Sequence, residues 1–136
     1  MRLFLDTNIV IDLLSGRQPF CENAEKIFEL ASDENITLCM ASVSFTNIYY
    51  ILRRQKITDI LNLFDNLLQI VSVLPSDENV IQSSVHSDFS DFEDAVQYYT
   101  ALNNQATCII TRNKKDFLLS EIPVYTPTEF LSYKAY

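Results

Sequence analysis

Met1-Arg2-Leu3-Phe4-Leu5-Asp6-Thr7-Asn8 opens the chain. Leu3, Phe4 and Leu5 form an unbroken apolar run with Asp6 at its end. An amphipathic pattern follows, with Ile9, Val10, Leu13 and Leu14 on one side. Such a run ahead of a helical pattern reads as a strand buried on both faces of a parallel sheet. Asp6 then stands at the carboxyl edge of that strand, where open α/β sheets bind their ligands. The same position also suits a cap for a helix beginning at Thr7 or Asn8. The rest of the chain decides between the two.

Working outward, the first strand covers about residues 2–6, and Gly16, the only glycine, ends the first helix as a left-handed cap. Pro19 opens a second helix, roughly 20–32, carrying Ala24, Ile27, Phe28 and Ala31. Residues 36–41 form a second buried strand. Ser42 or Ser44 caps a long helix with Phe45, Ile48, Tyr49 and Leu52 at i, i+3, i+4 and i+7. The chain turns near Lys56, and Ile57, Ile60, Leu61, Phe64, Leu67 and Leu68 describe another helix. Residues 70–74 make a third strand, stopped by Pro75. Residues 76–87 are helical, with Ser76 capping and Val80, Ile81 and Val85 inward. After a break at 88–90, Asp91 starts a helix with Phe92, Ala95, Val96, Tyr99 and Leu102 on one face. Residues 107–111 form a fourth apolar strand. A basic loop spans 112–116, Val124 and Tyr125 make a small last strand, and Pro127 begins a terminal helix. The alternation predicts an α/β fold, a mostly parallel sheet with helices on both faces. Without a repeat or linker, residues 1–136 read as a single domain.

Acids fall where this fold would gather them. Asp6 ends the first strand. Asp91 and Asp94 lie three apart in a first helical turn and share a face. Asp116 follows the fourth strand across a polar loop. Parallel strands end at one edge, so the first and fourth flank a crevice if the strand order reverses between them. Carboxylates converging without a counter-charge repel and raise their own pKa values. A divalent cation with oxygen ligands relieves that and can activate water beside a phosphoryl group.

Composition excludes several alternatives. A net charge of −8, from 18 acids and 10 bases, argues against a general nucleic-acid surface. Six of those bases are nevertheless concentrated in two groups, Arg53, Arg54 and Lys56, and Arg112, Lys114 and Lys115. One glycine cannot build a Gly-rich phosphate loop, and His86, the only histidine, argues against a multi-histidine metal site or a histidine-centred triad. Cys21, Cys39 and Cys108 read as buried free thiols of a reducing, cytoplasmic compartment. No apolar run has the length of a membrane helix, and no secretory signal is evident.

The chain resembles PIN-domain proteins, the VapC-like toxin ribonucleases among them. The residues carrying the resemblance are Leu5-Asp6-Thr7-Asn8 with Asp12 and Leu13, then Asp91-Phe92-Glu93-Asp94-Ala95, then Ile110 to Phe117, and Pro123 to Leu131. It spans essentially the whole chain. It implies a three-layer fold with strand order 3-2-1-4-5 and Mg²⁺- or Mn²⁺-dependent cleavage of RNA. Carried over, Asp6, Asp94 and Asp116 are the catalytic and metal-binding acids. Thr7, Asn8, Asn47, Asp91, Thr111 and Asn113 are supporting polar groups, and Arg112, Lys114 and Lys115 contact RNA. It also implies a small antitoxin partner and a homodimer. Asn47 stands where the family usually has a Glu, and Asn113 where an acid is often found. Asp91 or Glu93 would compensate. With both amides the alternative is a PIN fold kept as an RNA-binding or protein-interaction module.

Two other carboxylate enzymes fit less well. A haloacid-dehalogenase-type phosphotransferase, with Asp6 as nucleophile, needs an acid at position 8, which is Asn. A response-regulator receiver needs an acceptor Asp where Leu74 ends the third strand.

Overall fold

A computed structural model of the chain describes residues 1–134. Its strands are β1 (Arg2–Leu5), β2 (Thr37–Ala41), β3 (Val71–Leu74), β4 (Cys108–Ile110) and β5 (Val124–Tyr125). Its helices are α1 (Thr7–Ser15), α2 (Cys21–Glu29), α3 (Ser42–Arg54), α4 (Ile60–Leu68), α5 (Glu78–Val85), α6 (Phe92–Asn103) and α7 (Pro127–Lys134). Turns of 3-10 helix cover Leu30–Ser32 and Lys114–Phe117. The five strands form one parallel sheet in the order 3-2-1-4-5, as expected. The order reverses between β1 and β4, so their carboxyl ends flank the switch point.

Alternation along the central strands divides the core in two. Leu3, Leu5, Leu38, Met40, Cys108 and Ile110 join Ile9, Val10, Ile27, Phe28, Ile48, Leu52 and Phe130, beneath α1, α2, α3 and α7. Phe4, Cys39, Ala41 and Ile109 point the other way, toward Tyr98, Ala101 and Phe117. The next residue of each inner strand continues the alternation. Asp6 follows Leu5 and Thr111 follows Ile110, so both belong to the α6 face. The register pairs Leu5 with Ile110 and brings them side by side.

Several boundaries differ from expectation, each for a local reason. Gly16 is the left-handed cap foreseen, at φ 65°. Helix α3 has Ala41 at its N-cap position and no side-chain cap; Ser42 is its first residue, and Ser44 is buried inside. Helix α4 starts at Ile60 rather than Ile57, because Lys56 and Asp59 both adopt positive φ and break the helical path. Asp77, not Ser76, caps α5, accepting from the Val80 N–H at 3.0 Å; the Ser76 hydroxyl instead meets Thr100 Oγ1 at 2.9 Å. Helix α5 buries Val80 and Ser84, one turn apart, which turns Ile81 and Val85 toward solvent. Helix α6 is buried on more sides than one stripe allows. Ala95, Val96, Gln97, Tyr98, Thr100 and Ala101 are inside, whereas Phe92 is 54% exposed. Cys21, Cys39 and Cys108 are buried free thiols. Among the described residues no helix is long and apolar enough to cross a membrane.

Candidate active site

The site is built from the switch point outward. Asp6 leaves β1 with its N–H bonded to the Ile110 carbonyl at 3.0 Å, and its own carbonyl accepts from Ile9 N–H as α1 begins. Its side chain is free of helix capping and is 3% exposed. Both carboxylate oxygens are engaged by neutral donors. Thr111 Oγ1 donates to Oδ2 at 2.8 Å, and Gln97 Nε2 donates to Oδ1 at 3.0 Å. Burial raises the Asp6 pKa; those two hydrogen bonds oppose the rise, and the charges of Glu93 and Asp116 add to it.

Asp91, Asp94 and Gln97 recur every third residue, so α6 presents them along one side. Asp91 caps the helix by accepting from the Asp94 N–H at 2.9 Å. The Asp94 carboxyl is pushed up to about 7, first by burial and then by the charges of Asp91, Asp116, Asp6 and Glu93. Asp116 belongs to the 3-10 turn anchored by buried Phe117, and its Oδ2 accepts from Asn113 Nδ2 at 2.8 Å. The Asn113 N–H in turn donates to Thr111 Oγ1 at 3.1 Å. Asp6, Asp91, Glu93, Asp94 and Asp116 thus share one electrostatic neighbourhood. None of them forms an ion pair; among the described residues, ion pairs engage Asp12, Glu22 and Glu129.

The remaining predicted residues divide. Thr7 is buried within the network: its N–H and hydroxyl both donate to Gln97 Oε1, at 2.9 and 3.1 Å, and its hydroxyl meets Ser44 Oγ at 2.8 Å. Asn8 and Asn47 are half-buried, and their side chains make no hydrogen bond among the described residues. Ser44, one turn before Asn47, is the α3 residue that reaches the network. Arg112 is committed to an intramolecular partner. Its Nε and Nη2 donate to Asp12 at 2.6 and 3.2 Å, and its guanidinium lies 3.9 Å from the Phe20 ring centroid. Lys114 pairs with Glu129 at 3.3 Å, and Lys115 is exposed.

Gln97 and Ser44 escaped sequence reasoning. The usable signal for Gln97 was its position three residues after Asp94. For Ser44, a hydroxyl at a buried helical position reads as a cap.

The donor chemistry suits a hard divalent cation, with anionic oxygens from Asp6, Asp94, Asp116 and Glu93 and, among the described residues, no ion pair to neutralise them. Among the described residues no three His, Cys, Asp or Glu side chains are grouped so as to hold a metal ion as they stand. The fit lies in the unpaired acids and in the Asp94 carboxyl, which burial and then the neighbouring carboxylates push up to about 7.

A family model described as a PIN domain matches residues 2–115. No curated protein matches the sequence significantly. Among solved structures, the chain is similar to one in a toxin-antitoxin complex from Klebsiella pneumoniae, with 24% identity over 92% of this chain and 97% of that one, and a TM-score of 0.68. It is also similar to VapBC-1 from nontypeable Haemophilus influenzae, with 22% identity over 94% and 99% of the two chains and a TM-score of 0.66. A third is VapC20 of Mycobacterium tuberculosis, a Sarcin-Ricin loop cleaving toxin. Its identity is 13% over 79% and 86% of the chains, with a TM-score of 0.63. At these identities the likeness is one of fold.

Proposed function

The chain belongs to the PIN-domain family, and from that premise we propose that it is a divalent-metal-dependent endoribonuclease, the toxin of a toxin–antitoxin pair. The observation that carries this reading is the set of uncompensated carboxylates at the β1/β4 switch point, with Asp94 raised to about 7. Asp6, Asp94 and Asp116 would hold Mg²⁺ or Mn²⁺, with Glu93 near enough in charge to take part. The bound cation would supply activation of water and charge stabilisation at a phosphodiester. The chain's own part is placement. Thr111 and Gln97 fix the plane of the Asp6 carboxylate, and Asn113 orients Asp116.

Asp91 holds the first turn of α6, so Asp94 is presented from a rigid helix end. Phosphate contacts fall to Arg112, Lys114 and Lys115. Lys115 leads, because the other two are already paired. The proposed partner is a small antitoxin protein, a reading supported by the toxin-antitoxin complexes among the similar structures, and a homodimer is proposed from the family resemblance. The buried thiols suit a reducing cytoplasm.

The test is cleavage of single-stranded RNA by purified protein. Cleavage with Mn²⁺ that is abolished by chelation and by Asp6→Asn supports the reading. Metal-independent cleavage, or cleavage unchanged in Asp6→Asn, removes it. A second reading, an RNA-binding or protein-interaction module, is favoured by Asn47 and by Asn113, whose amide is engaged with Asp116. It predicts RNA binding with no divalent requirement and no cleavage.

A further inference from the structure

We propose that Gln97 is a positioning residue for the metal-binding carboxylate of Asp6, a role that rests on the nuclease reading above. Gln97 is 1% exposed and lies in the middle of α6, where a polar side chain is costly unless its amide is satisfied. Here, among the described residues, it is satisfied by Asp6 and Thr7 alone, the two residues at the β1–α1 junction. The Thr7 backbone N–H can only donate, so the amide atom facing it at 2.9 Å is Oε1. That fixes the amide orientation and turns Nε2 toward Asp6 Oδ1 at 3.0 Å. The Thr7 hydroxyl, also donating to Oε1, holds the amide plane a second time.

Asp6 is thereby gripped from α6 on one oxygen and from β4, through Thr111, on the other. Neither grip is a cation, so neither cancels the carboxylate's charge by ion pairing. A residue needed only to fill the core would have no reason to bring a donor to Asp6 and an acceptor to Thr7. Gln97 also stands three residues after Asp94. One face of α6 therefore both contributes an acid and orients the acid opposite.

The experiment is Mn²⁺ titration by calorimetry on the full chain, comparing wild type, Gln97→Met and Ser84→Ala. Methionine follows the same path and volume but offers no amide. Losing a hydrogen bond to a charged group predicts Mn²⁺ affinity about tenfold to a hundredfold weaker in Gln97→Met. Ser84→Ala removes a buried hydrogen bond, from its hydroxyl to the Val80 carbonyl on α5 at 2.7 Å, outside the network that holds Asp6. It is expected to lower the melting temperature and leave Mn²⁺ affinity unchanged. Equal affinity in wild type and Gln97→Met, or equal loss in both variants, overturns the proposal. Wild-type protein that binds no Mn²⁺ overturns the metal reading itself. A measurement on the unaltered protein stands even if Gln97→Met does not fold. On Mg²⁺ titration the Gln97 side-chain amide resonances should shift with metal occupancy. Metal binding without such a shift refutes the role.

Discussion

Thr111 Oγ1 donates a hydrogen bond to Asp6 Oδ2 across 2.8 Å, joining the carboxyl ends of β4 and β1 at the point where the strand order reverses. The contact follows from register. Leu5 pairs with Ile110, and the next residue on each strand turns to the same face. The bond lowers the Asp6 pKa against the larger effect of burial. Thr111→Val keeps the shape and removes the donor. It should cost about 1–3 kcal/mol of stability at pH 7, because one oxygen of a buried carboxylate is left unsatisfied. Urea denaturation measures this; an unchanged midpoint would mean that water replaces the hydroxyl.

The raised carboxyls set the sign of the pH dependence. The Asp94 carboxyl, ordinarily near 3.8, is pushed up to about 7 in the folded state. The folded state therefore binds more protons than the unfolded one over that range. Its contribution is fully present below the unfolded value and is lost as pH rises through about 7. Asp6 is raised in the same direction. Metal-free protein should be more stable at pH 5 than at pH 8, by roughly 1–2 kcal/mol once solvent screening is allowed for. Saturating Mn²⁺ should reverse the trend, since the ion binds the deprotonated acids. Denaturation at both pH values, with chelator and with Mn²⁺, tests both halves.

Arg112 and Lys115 should part company. Asp12 is 1% exposed and receives two hydrogen bonds from Arg112, with Arg17 more distant at 3.8 Å. Arg112→Ala leaves a buried charge behind and should cost about 3–5 kcal/mol, less whatever Arg17 recovers. Arg112→Lys should rescue little, because one ammonium cannot reproduce the two-point contact. Lys115→Ala should change stability by less than about 0.5 kcal/mol. It should weaken RNA binding and reduce the salt slope by about one. A Lys115→Ala variant with unaltered RNA affinity would place the RNA elsewhere.

The sequence carried the fold further than it carried the site. Continuous apolar runs marked the buried strands, and strand-end acids marked the edge to inspect. Buried polar contacts between distant segments left no such trace. Gln97 and Asp6 are 91 positions apart, as Arg112 and Asp12 are 100 apart. A glutamine inside a helix and an arginine after a strand both read as surface residues until their partners are seen. Helix α5 misled for a different reason. Its apolar residues outnumber the positions that α6 can cover, so Ile81 and Val85 are left outside.

Asn47 stands where the family resemblance leads one to expect a Glu, and its half-buried side chain has no hydrogen-bond partner among the described residues. An amide oxygen offers a dipole where a carboxylate offers a full charge, and hard cations favour the latter. Asn47→Glu should tighten Mn²⁺ binding and raise metal-dependent RNA cleavage. Metal-free stability should fall slightly as another carboxylate joins the cluster. Calorimetric titration of both proteins decides the matter, and equal affinities would show that Asn47 points away from the crevice or that Glu93 already fills its place.

The central claim is that Asp6, Asp94 and Asp116 converge on one divalent cation. Crystals of the protein soaked in Mn²⁺ and measured at an anomalous wavelength test it directly. The account predicts a single anomalous peak, or a close pair, at the β1/β4 edge, with carboxylate oxygens of Asp6 and Asp94 at about 2.0–2.3 Å. A peak elsewhere on the molecule, or a Mn²⁺-saturated crystal with no peak beside Asp6, would contradict it.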